Sequence, residues 1–356
     1  MESVQDDRCF SNTFQEYKGE NMLREDGRLK ESLSKRIEEH IDRLLERLYE
    51  GLGEEGDESY SVYTGIGGIA HLHLHMYSKL KKDRGQLECA LDCLRQPLRH
   101  LKGQRISFLC GDAGPLALGA VIYDKLGSKP ASKDCVTRLV GLQKDVCRDP
   151  SLPDELLYGR AGYLYALLFV RAHLGDDSIS TEVIHKVKDE SLKKHLEELI
   201  RPSLEYMLTL RFPSGNCPSS VGSSTGDKLV HWCHGAPGWI HMFIMAYKEF
   251  GEDRYLQAAK ACADVIWSRG LLKKGFGLCH GISGNAYAFL AMYKLTDDQA
   301  YLYKAYKFAT MTMERNVRVR IPDHPYSLFE GLAGTIYFLI DLLDPKSAKF
   351  PAFDLP

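Results

Sequence analysis

The chain has 356 residues, of which 44% are hydrophobic and 26% are charged, and its formal net charge is -2. This composition is typical of a soluble globular protein with a large core, and it gives no electrostatic case for nucleic-acid binding. The apolar runs are all shorter than the roughly 20 residues that a membrane helix requires.

The N-terminal segment 1–28 is predicted to be an extension of a single domain that spans 1–356. It opens with the acidic stretch MESVQDDRCF, has no hydrophobic signal region, and has Glu2 where N-myristoylation requires glycine. We therefore expect a cytoplasmic protein, with peripheral membrane association left open. The ten cysteines are expected to be reduced thiols, some of them metal ligands, rather than a disulfide framework.

Six Gly-x-x-Gly elements divide the rest of the chain into repeats. Their first glycines are separated by 46, 48, 76, 46 and 50 residues. A period near 48 residues indicates repeated helical hairpins and one architecture for the whole chain. The pairs are Gly65/Gly68, Gly111/Gly114, Gly159/Gly162, Gly235/Gly238, Gly281/Gly284 and Gly331/Gly334.

Two kinds of helix are predicted to alternate along these repeats. Each glycine pair precedes a segment that is apolar nearly all round, such as YLYALLFV or AYAFLAMY, as expected of a buried helix. Amphipathic segments such as DRYLQAAKACADVIWSRG lie between them and suit half-exposed helices. We predict an all-α fold, an α/α toroid of helical hairpins whose loops converge at one mouth, with an open solenoid as the competing geometry.

The glycine pairs allow two interpretations. Glycine permits tight turns, and the first turn of the following helix leaves partly positive amide groups that favour thiolates or carboxylates. Alternatively, each glycine only permits close packing of the backbone.

The three histidines of the first repeat are interpreted as structural. His71, His73 and His75 follow Gly65/Gly68 at a spacing of two residues. On a helix this spacing leaves only His71 and His75 on one face, so the three cannot form one metal site.

The 76-residue gap after Gly159 is too long for one period and too short for two. We predict that residues 171–230 are irregular and that one repeat is partly absent there. The gap contains His185 and His195, which lie in a charged segment typical of an outer helix and have no flanking glycines.

Two Cys-His pairs carry the strongest chemical signal. Cys233/His234 and Cys279/His280 each stand directly before Gly-x-x-Gly in neighbouring repeats, so a toroid would bring both pairs to the same mouth. Cys and His ligands suit zinc, and three protein ligands with an open position form a catalytic site. Such a site activates a bound water or thiol, and two thiolate ligands favour a thiol substrate. Further candidate ligands are His231, His324 and Cys110.

Five segments closely resemble the eukaryotic LanC-like proteins, relatives of the bacterial lanthionine synthetase cyclases: HWCHGAPG, LLKKGFGLCHGISGNAYAF, SLFEGLAGTIYFLIDLL, FLCGDAGPLA and LLYGRAGYLYALLF. The resemblance runs from RCFSNTFQEY to KFPAFDLP. It implies an α/α toroid with one Zn²⁺ held by Cys233, Cys279 and His280.

The resemblance also implies a substrate site. Glutathione would contact Lys274 and the segment Arg320, Ile321, Pro322 and Asp323, with its carboxylates paired to the cations and its ammonium group to Asp323. The catalytic acid/base remains unknown, with Arg8 and His234 as weak candidates. The family's toroid has seven Gly-x-x-Gly helices against six here, and the missing copy carries an Ala-His-Gly-type histidine that nothing between Gly162 and His231 replaces.

The implied function is a zinc-dependent, glutathione transferase-like addition of the glutathione thiol to dehydroalanine or dehydrobutyrine residues in proteins or peptides. The alternative is a non-catalytic zinc- and glutathione-binding sensor or adaptor with a signalling partner. A glycan-processing toroid would require paired carboxylates, whereas Asp112 and Glu330 stand at different phases of their repeats.

Overall fold

The computed structural model describes residues 7–53, 59–101, 103, 105–187, 196–224, 226–314 and 316–355. Within these ranges the regular structure is helical, apart from isolated antiparallel bridges at Cys9–Leu272 and Leu23–Leu29. The α-helices are α1 (Glu31–Leu52), α2 (Ile66–Lys79), α3 (Arg84–Arg99), α4 (Ala113–Lys125), α5 (Lys129–Gly141), α6 (Gln143–Arg148), α7 (Arg160–Leu174), α8 (Thr181–Val187), α9 (Arg201–Thr209), α10 (Ala236–Phe250), α11 (Asp253–Arg269), α12 (Ile282–Thr296), α13 (Gln299–Met313) and α14 (Leu332–Leu343). The predicted all-α class is confirmed.

The chain divides into two compact units, one formed by Met1–Gly53 and Leu196–Ala348, the other by Glu54–His195 and Lys349–Pro356. The first unit contains the buried helices α10, α12 and α14, and the second contains α2, α4 and α7. Each of these helices begins one or two residues after the first glycine of a pair, as predicted.

In both units a buried helix packs against an amphipathic one. The hairpins are α2 with α3, α4 with α5, α10 with α11, and α12 with α13. In the first unit α14 packs against α1, so the N-terminal helix covers the last buried helix. This alternation of buried and half-exposed helices is the one predicted for an α/α toroid.

The glycine pairs serve close backbone packing. A Cβ on the second glycine would lie closer than 3.0 Å to the carbonyl oxygen six residues earlier in five of the six pairs, namely Gly114 to Phe108, Gly162 to Leu156, Gly238 to Trp232, Gly284 to Leu278 and Gly334 to Leu328. Only glycine fits, because the obstructing atoms are backbone. The loop before each buried helix therefore folds back onto the first turn of that helix.

The first-turn amides have partners in these loops. The N–H groups of Ile66, Arg160 and Leu332 donate to carbonyl oxygens seven residues earlier, at 3.0, 2.9 and 2.8 Å. Of the two interpretations of the glycine pairs, these contacts favour close packing, because the loop carbonyls already accept from these three amides.

The segment 171–230, predicted to be irregular, holds α8, a π-helical turn at Leu196–Ile200, and α9. His185 is exposed on α8, and His195 lies outside the described residues.

The three histidines of α2 are buried in the second unit. The His71 ring meets the rings of Phe108 and Phe169 edge-on, at centroid distances of 5.9 and 5.8 Å. Burial lowers the pKa of His71 to about 3, so it is neutral at physiological pH. His73 Nδ1 lies 2.7 Å from Gln86 Oε1. These contacts support the structural interpretation of the triplet.

A buried polar pair joins two helices of the first unit, and its loss is expected to be measurable. The Tyr287 hydroxyl on α12 donates to Asp341 Oδ2 on α14 at 2.8 Å, and Asp341 is fully buried. Replacing Tyr287 by Phe is expected to lower the free energy of unfolding by about 1–3 kcal/mol, because a buried carboxylate oxygen loses its donor. Urea unfolding measures the loss. Tyr293→Phe, on the same helix, is the control and should change stability by less than about 0.5 kcal/mol. Equal losses in both variants would contradict the assignment.

Candidate metal centre

The candidate site lies within the first unit, in the loops that precede α10, α12 and α14. Backbone hydrogen bonds join residues of the same repeat phase: the Cys233 N–H donates to the Cys279 carbonyl at 3.2 Å, and the Cys279 N–H donates to the Phe329 carbonyl at 2.7 Å. Each of these residues stands two positions before a first glycine, at Gly235, Gly281 and Gly331. The repeat itself therefore places the two cysteines side by side.

Cys233, Cys279 and His280 form the cluster that the sequence predicted. The two sulfur atoms and one ring nitrogen all lie within 4.8 Å of one another. Two sulfur ligands on a tetrahedral zinc are about 3.8 Å apart, which is compatible with this upper limit. Across the part of the chain that the structure describes, no other group of His, Cys, Asp and Glu side chains meets the same distance criterion. The donor set fits a metal ion with one open position.

The electrostatics of the metal-free cluster favour a protonated Cys233 thiol. The hydrogen bond with the Cys279 thiol, followed by burial, raises the pKa of Cys233, whereas the Lys274 charge lowers it. A metal ion that takes both sulfurs must displace these protons, so its affinity rises with pH.

The remaining histidine and cysteine candidates lie outside the cluster. His234 is exposed, and its Nδ1 lies 3.1 Å from the Ser219 carbonyl oxygen. His231 is buried, with its ring centroid 6.1 Å from that of His280. Burial and the Lys274 charge lower the pKa of His231 to about 3, which keeps it neutral. His324 accepts a hydrogen bond from the Ser327 hydroxyl through its backbone carbonyl, at 2.9 Å. Cys110 belongs to the second unit.

Backbone hydrogen bonds join the three segments that contain the predicted cationic residues Arg8, Lys274 and Arg320. The Phe10 N–H donates to the Leu271 carbonyl at 2.7 Å, and the Lys273 N–H donates to the Arg8 carbonyl at 2.9 Å. The Arg320 N–H donates to the Lys273 carbonyl at 2.8 Å. The backbones of Arg8 and Arg320 therefore both contact the residue immediately before Lys274.

The predicted segment 320–323 is open to solvent. The Arg320 guanidinium lies 3.5 Å from Asp323 Oδ1, and the two side chains are 66% and 81% exposed. An ion pair this exposed is weak. A charged ligand can therefore displace either partner and pair with the other. Ile321, between them, is 78% exposed.

Sequence reasoning missed Asn216, whose side chain forms hydrogen bonds on both sides of Cys233 in the loop that carries this residue. Its Nδ2 donates to Asp227 Oδ1 at 2.7 Å and to the Leu229 carbonyl at 3.0 Å, and its Oδ1 accepts from the Ala236 N–H at 2.9 Å. One asparagine in the irregular stretch RFPSGNCPSS carries no periodic signal, so only its burial and contacts reveal the role.

The fold and the site define an all-helical repeat protein with a Cys₂His cluster, in neighbouring loops, that could hold a metal ion. The family model described as lanthionine synthetase C-like protein matches residues 56–195 and 183–355. A curated relative from Danio rerio, glutathione S-transferase LANCL1, is 40% identical over an alignment of 407 positions that covers 99% of this chain and 100% of the relative. The chain belongs to the lanthionine synthetase C-like family.

Two solved structures are more distant. Nisin cyclase is 18% identical with a TM-score of 0.42, and the likeness covers 88% of this chain and 83% of that one. The Lin0763 protein of Listeria innocua is 14% identical with a TM-score of 0.40, and the likeness covers 79% and 84%. Neither score is high enough to support a structural inference.

The alignment with the relative is longer than this chain. It has 407 positions and this chain has 356 residues, so at least 51 positions have no counterpart here. The two family matches overlap at residues 183–195, inside the long interval between Gly159 and Gly235.

None of the described helices has the length and apolar character needed to cross a bilayer.

Proposed function

We propose that this chain holds a zinc ion at Cys233, Cys279 and His280 and adds the glutathione thiol to dehydroalanine or dehydrobutyrine residues of proteins or peptides. The proximity of the three ligand atoms, all within 4.8 Å, is the observation that carries the proposal. It is supported by the name of the Danio rerio relative, a glutathione S-transferase. A cytoplasmic location is part of the proposal.

When bound in such a site, zinc stabilises the deprotonated form of a thiol in its open position. The chain's own residues bind and orient the substrate. In this proposal Lys274 and Arg320 pair with the carboxylates of glutathione, and Asp323 pairs with its ammonium group. Together these contacts would hold the sulfur next to the cluster.

The addition forms one bond between the glutathione sulfur and the β-carbon of the dehydroamino acid. The electrons of the carbon–carbon double bond move to the α-carbon side, and the resulting enolate takes a proton at the α-carbon. Of the two weak candidates from the sequence, His234 suits this step better, because the exposed ring keeps Nε2 available. Arg8 is a poor acid because a guanidinium does not give up its proton in proteins.

Lys274 is expected to contribute mainly to glutathione affinity. Replacing Lys274 by Ala should raise the dissociation constant for glutathione about tenfold, through loss of one charge-assisted contact. Isothermal titration calorimetry on the zinc-loaded protein measures the change. Lys248→Ala, an exposed lysine on α10, is the matched control and should leave binding unchanged. If both variants bind glutathione as the unaltered protein does, Lys274 is not a contact.

One sample tests the whole proposal. Zinc content and glutathione affinity are measured on the purified monomer, a dehydroalanine peptide is added, and the thioether product is followed by mass. Zinc, binding and product support the transferase. Zinc and binding without product favour the alternative, a sensor or adaptor with a signalling partner, which draws support from the missing repeat and its histidine. Protein without zinc would refute both.

A further inference from the structure

Asn285 follows the ligand pair Cys279 and His280 in the sequence but is not itself a candidate metal ligand. It lies in the first turn of α12, and that helix begins directly after Cys279, His280 and Gly281. Its Nδ2 donates to the Val230 carbonyl at 3.0 Å and to the Gly270 carbonyl at 2.9 Å. The Asn285 side chain therefore joins α12, the helix that follows the loop of Cys279 and His280, to the loop of Cys233 and to the segment that leads to Lys274.

Thr335 repeats this contact in the next repeat. Its hydroxyl on α14 donates to the Phe276 carbonyl at 3.1 Å. Val230 and Phe276 stand five positions before Gly235 and Gly281, and the donors Asn285 and Thr335 stand four positions after the first glycine of the following repeat. The two hydrogen bonds are therefore equivalent under the repeat.

The pattern is confined to the two loops that carry Cys-His pairs. In the other four repeats the position four residues after the first glycine holds neither Asn nor Thr, but Ile69, Pro115, Tyr163 and Trp239. A requirement of the helical hairpin alone would place the donor throughout the chain. Its restriction to the repeats that follow the two ligand loops connects the donor with the ligands.

The burial of Asn285 points the same way. The residue is fully buried, and within the described residues its Oδ1 has no hydrogen-bond partner. A buried acceptor without a partner destabilises a fold. Asn285 therefore makes its two side-chain hydrogen bonds through Nδ2, at a cost in stability that an apolar residue would avoid.

We propose that Asn285 and Thr335 are positioning residues for the metal centre. By fixing the Val230 and Phe276 carbonyls, they hold the loops of Cys233 and Cys279 at the separation that lets both sulfurs and His280 share one ion. The proposal rests on the metal site of the proposed function, and it assigns these two residues no contact with substrate.

The test compares three variants of the full chain: Asn285→Leu, Thr335→Val and Tyr287→Phe. Leu removes both donors without adding charge, and Val keeps the shape of Thr without its hydroxyl. Tyr287→Phe breaks a hydrogen bond between the same two helices, α12 and α14, away from the ligand loops. It therefore measures what a general loss of stability does to the site.

Zinc affinity is measured by competition with a chelator, and Co²⁺ spectra report the ligand geometry. We expect Asn285→Leu to weaken zinc binding about 10- to 100-fold and Thr335→Val about 10-fold, with altered cobalt–thiolate bands in both. Tyr287→Phe should stay within about 2-fold of the unaltered protein, because its contact is separate. Unchanged zinc affinity in both loop variants would overturn the proposal, as would an equal loss in Tyr287→Phe. If Asn285→Leu does not fold, Thr335→Val decides.

A second readout needs no metal. Hydrogen exchange of the Cys233 and Cys279 amides in the metal-free protein should be faster in Thr335→Val and Asn285→Leu, because both amides bond across the fastened loops. If the unaltered protein bound neither zinc nor cobalt, the proposed function would fail, and this exchange would still test the positioning role. Unchanged exchange would then refute it.

Discussion

Replacing Cys279 by Ala is expected to reduce bound zinc from about one ion per chain to near zero and to abolish thioether formation. The sulfur of Cys279 is one of the three ligands proposed among the described residues, so its loss leaves a pair that cannot close a tetrahedral site. Metal analysis of the purified variant and product mass with glutathione and a dehydroalanine peptide measure both effects. We expect at least about a 100-fold loss in rate, since the thiol substrate is no longer activated.

Cys262→Ala is the matched control for this experiment. Cys262 is a fully buried thiol of the same unit on α11, 4.0 Å from the sulfur of Cys217 and outside the ligand group. Its replacement should lower stability by about 1 kcal/mol and leave zinc content and turnover intact. Retained zinc and activity in Cys279→Ala would show that the cluster is not the metal centre.

Replacing Gly284 by Ala is expected to be the most destabilising single-methyl change in this part of the chain. The new Cβ would overlap the Leu278 carbonyl, a backbone atom that cannot move without displacing Cys279 next to it. We expect the free energy of unfolding to fall by about 3 kcal/mol or more, with weaker zinc binding in any protein that folds. Soluble yield, thermal unfolding and metal content report the result.

Gly141→Ala provides the comparison at a glycine without this constraint. Gly141 ends α5, and a Cβ there would meet no heavy atom within 4 Å. Alanine is the better helix former, so this change should be neutral or stabilise by up to about 1 kcal/mol. Similar stability of the Gly284 and Gly141 variants would contradict the close-packing role of the second glycine.

Much of the helical framework was predictable because its signals are local. The glycine pairs mark where buried helices begin, and the structure begins α2, α4, α7, α10, α12 and α14 there. The segment predicted as an outer helix from DRYLQAAKACADVIWSRG is α11. The spacing of the apolar residues in a helix predicts whether the helix is buried on every side or on one side only.

The metal ligands were predictable for a different reason. Residues at the same phase of neighbouring repeats are expected to lie next to each other in the fold. The hydrogen bond from the Cys233 N–H to the Cys279 carbonyl shows that these two residues do so. The same reasoning could not choose between His234 and His280. Both stand at the same phase, and the direction of a side chain in an irregular loop depends on contacts that are remote in sequence.

The sequence by itself determined the repeat, the alternation of buried and half-exposed helices, and the two Cys-His pairs, because these follow from local periodicity. Only the tertiary structure showed that the backbones of Arg8 and Arg320 both hydrogen-bond to the backbone of Lys273, the residue before Lys274. It alone revealed Asn285 and Thr335, whose hydrogen bonds reach 55 and 59 residues along the chain. Such pairings depend on which carbonyls the packed helices bring within reach, and no local pattern encodes that distance.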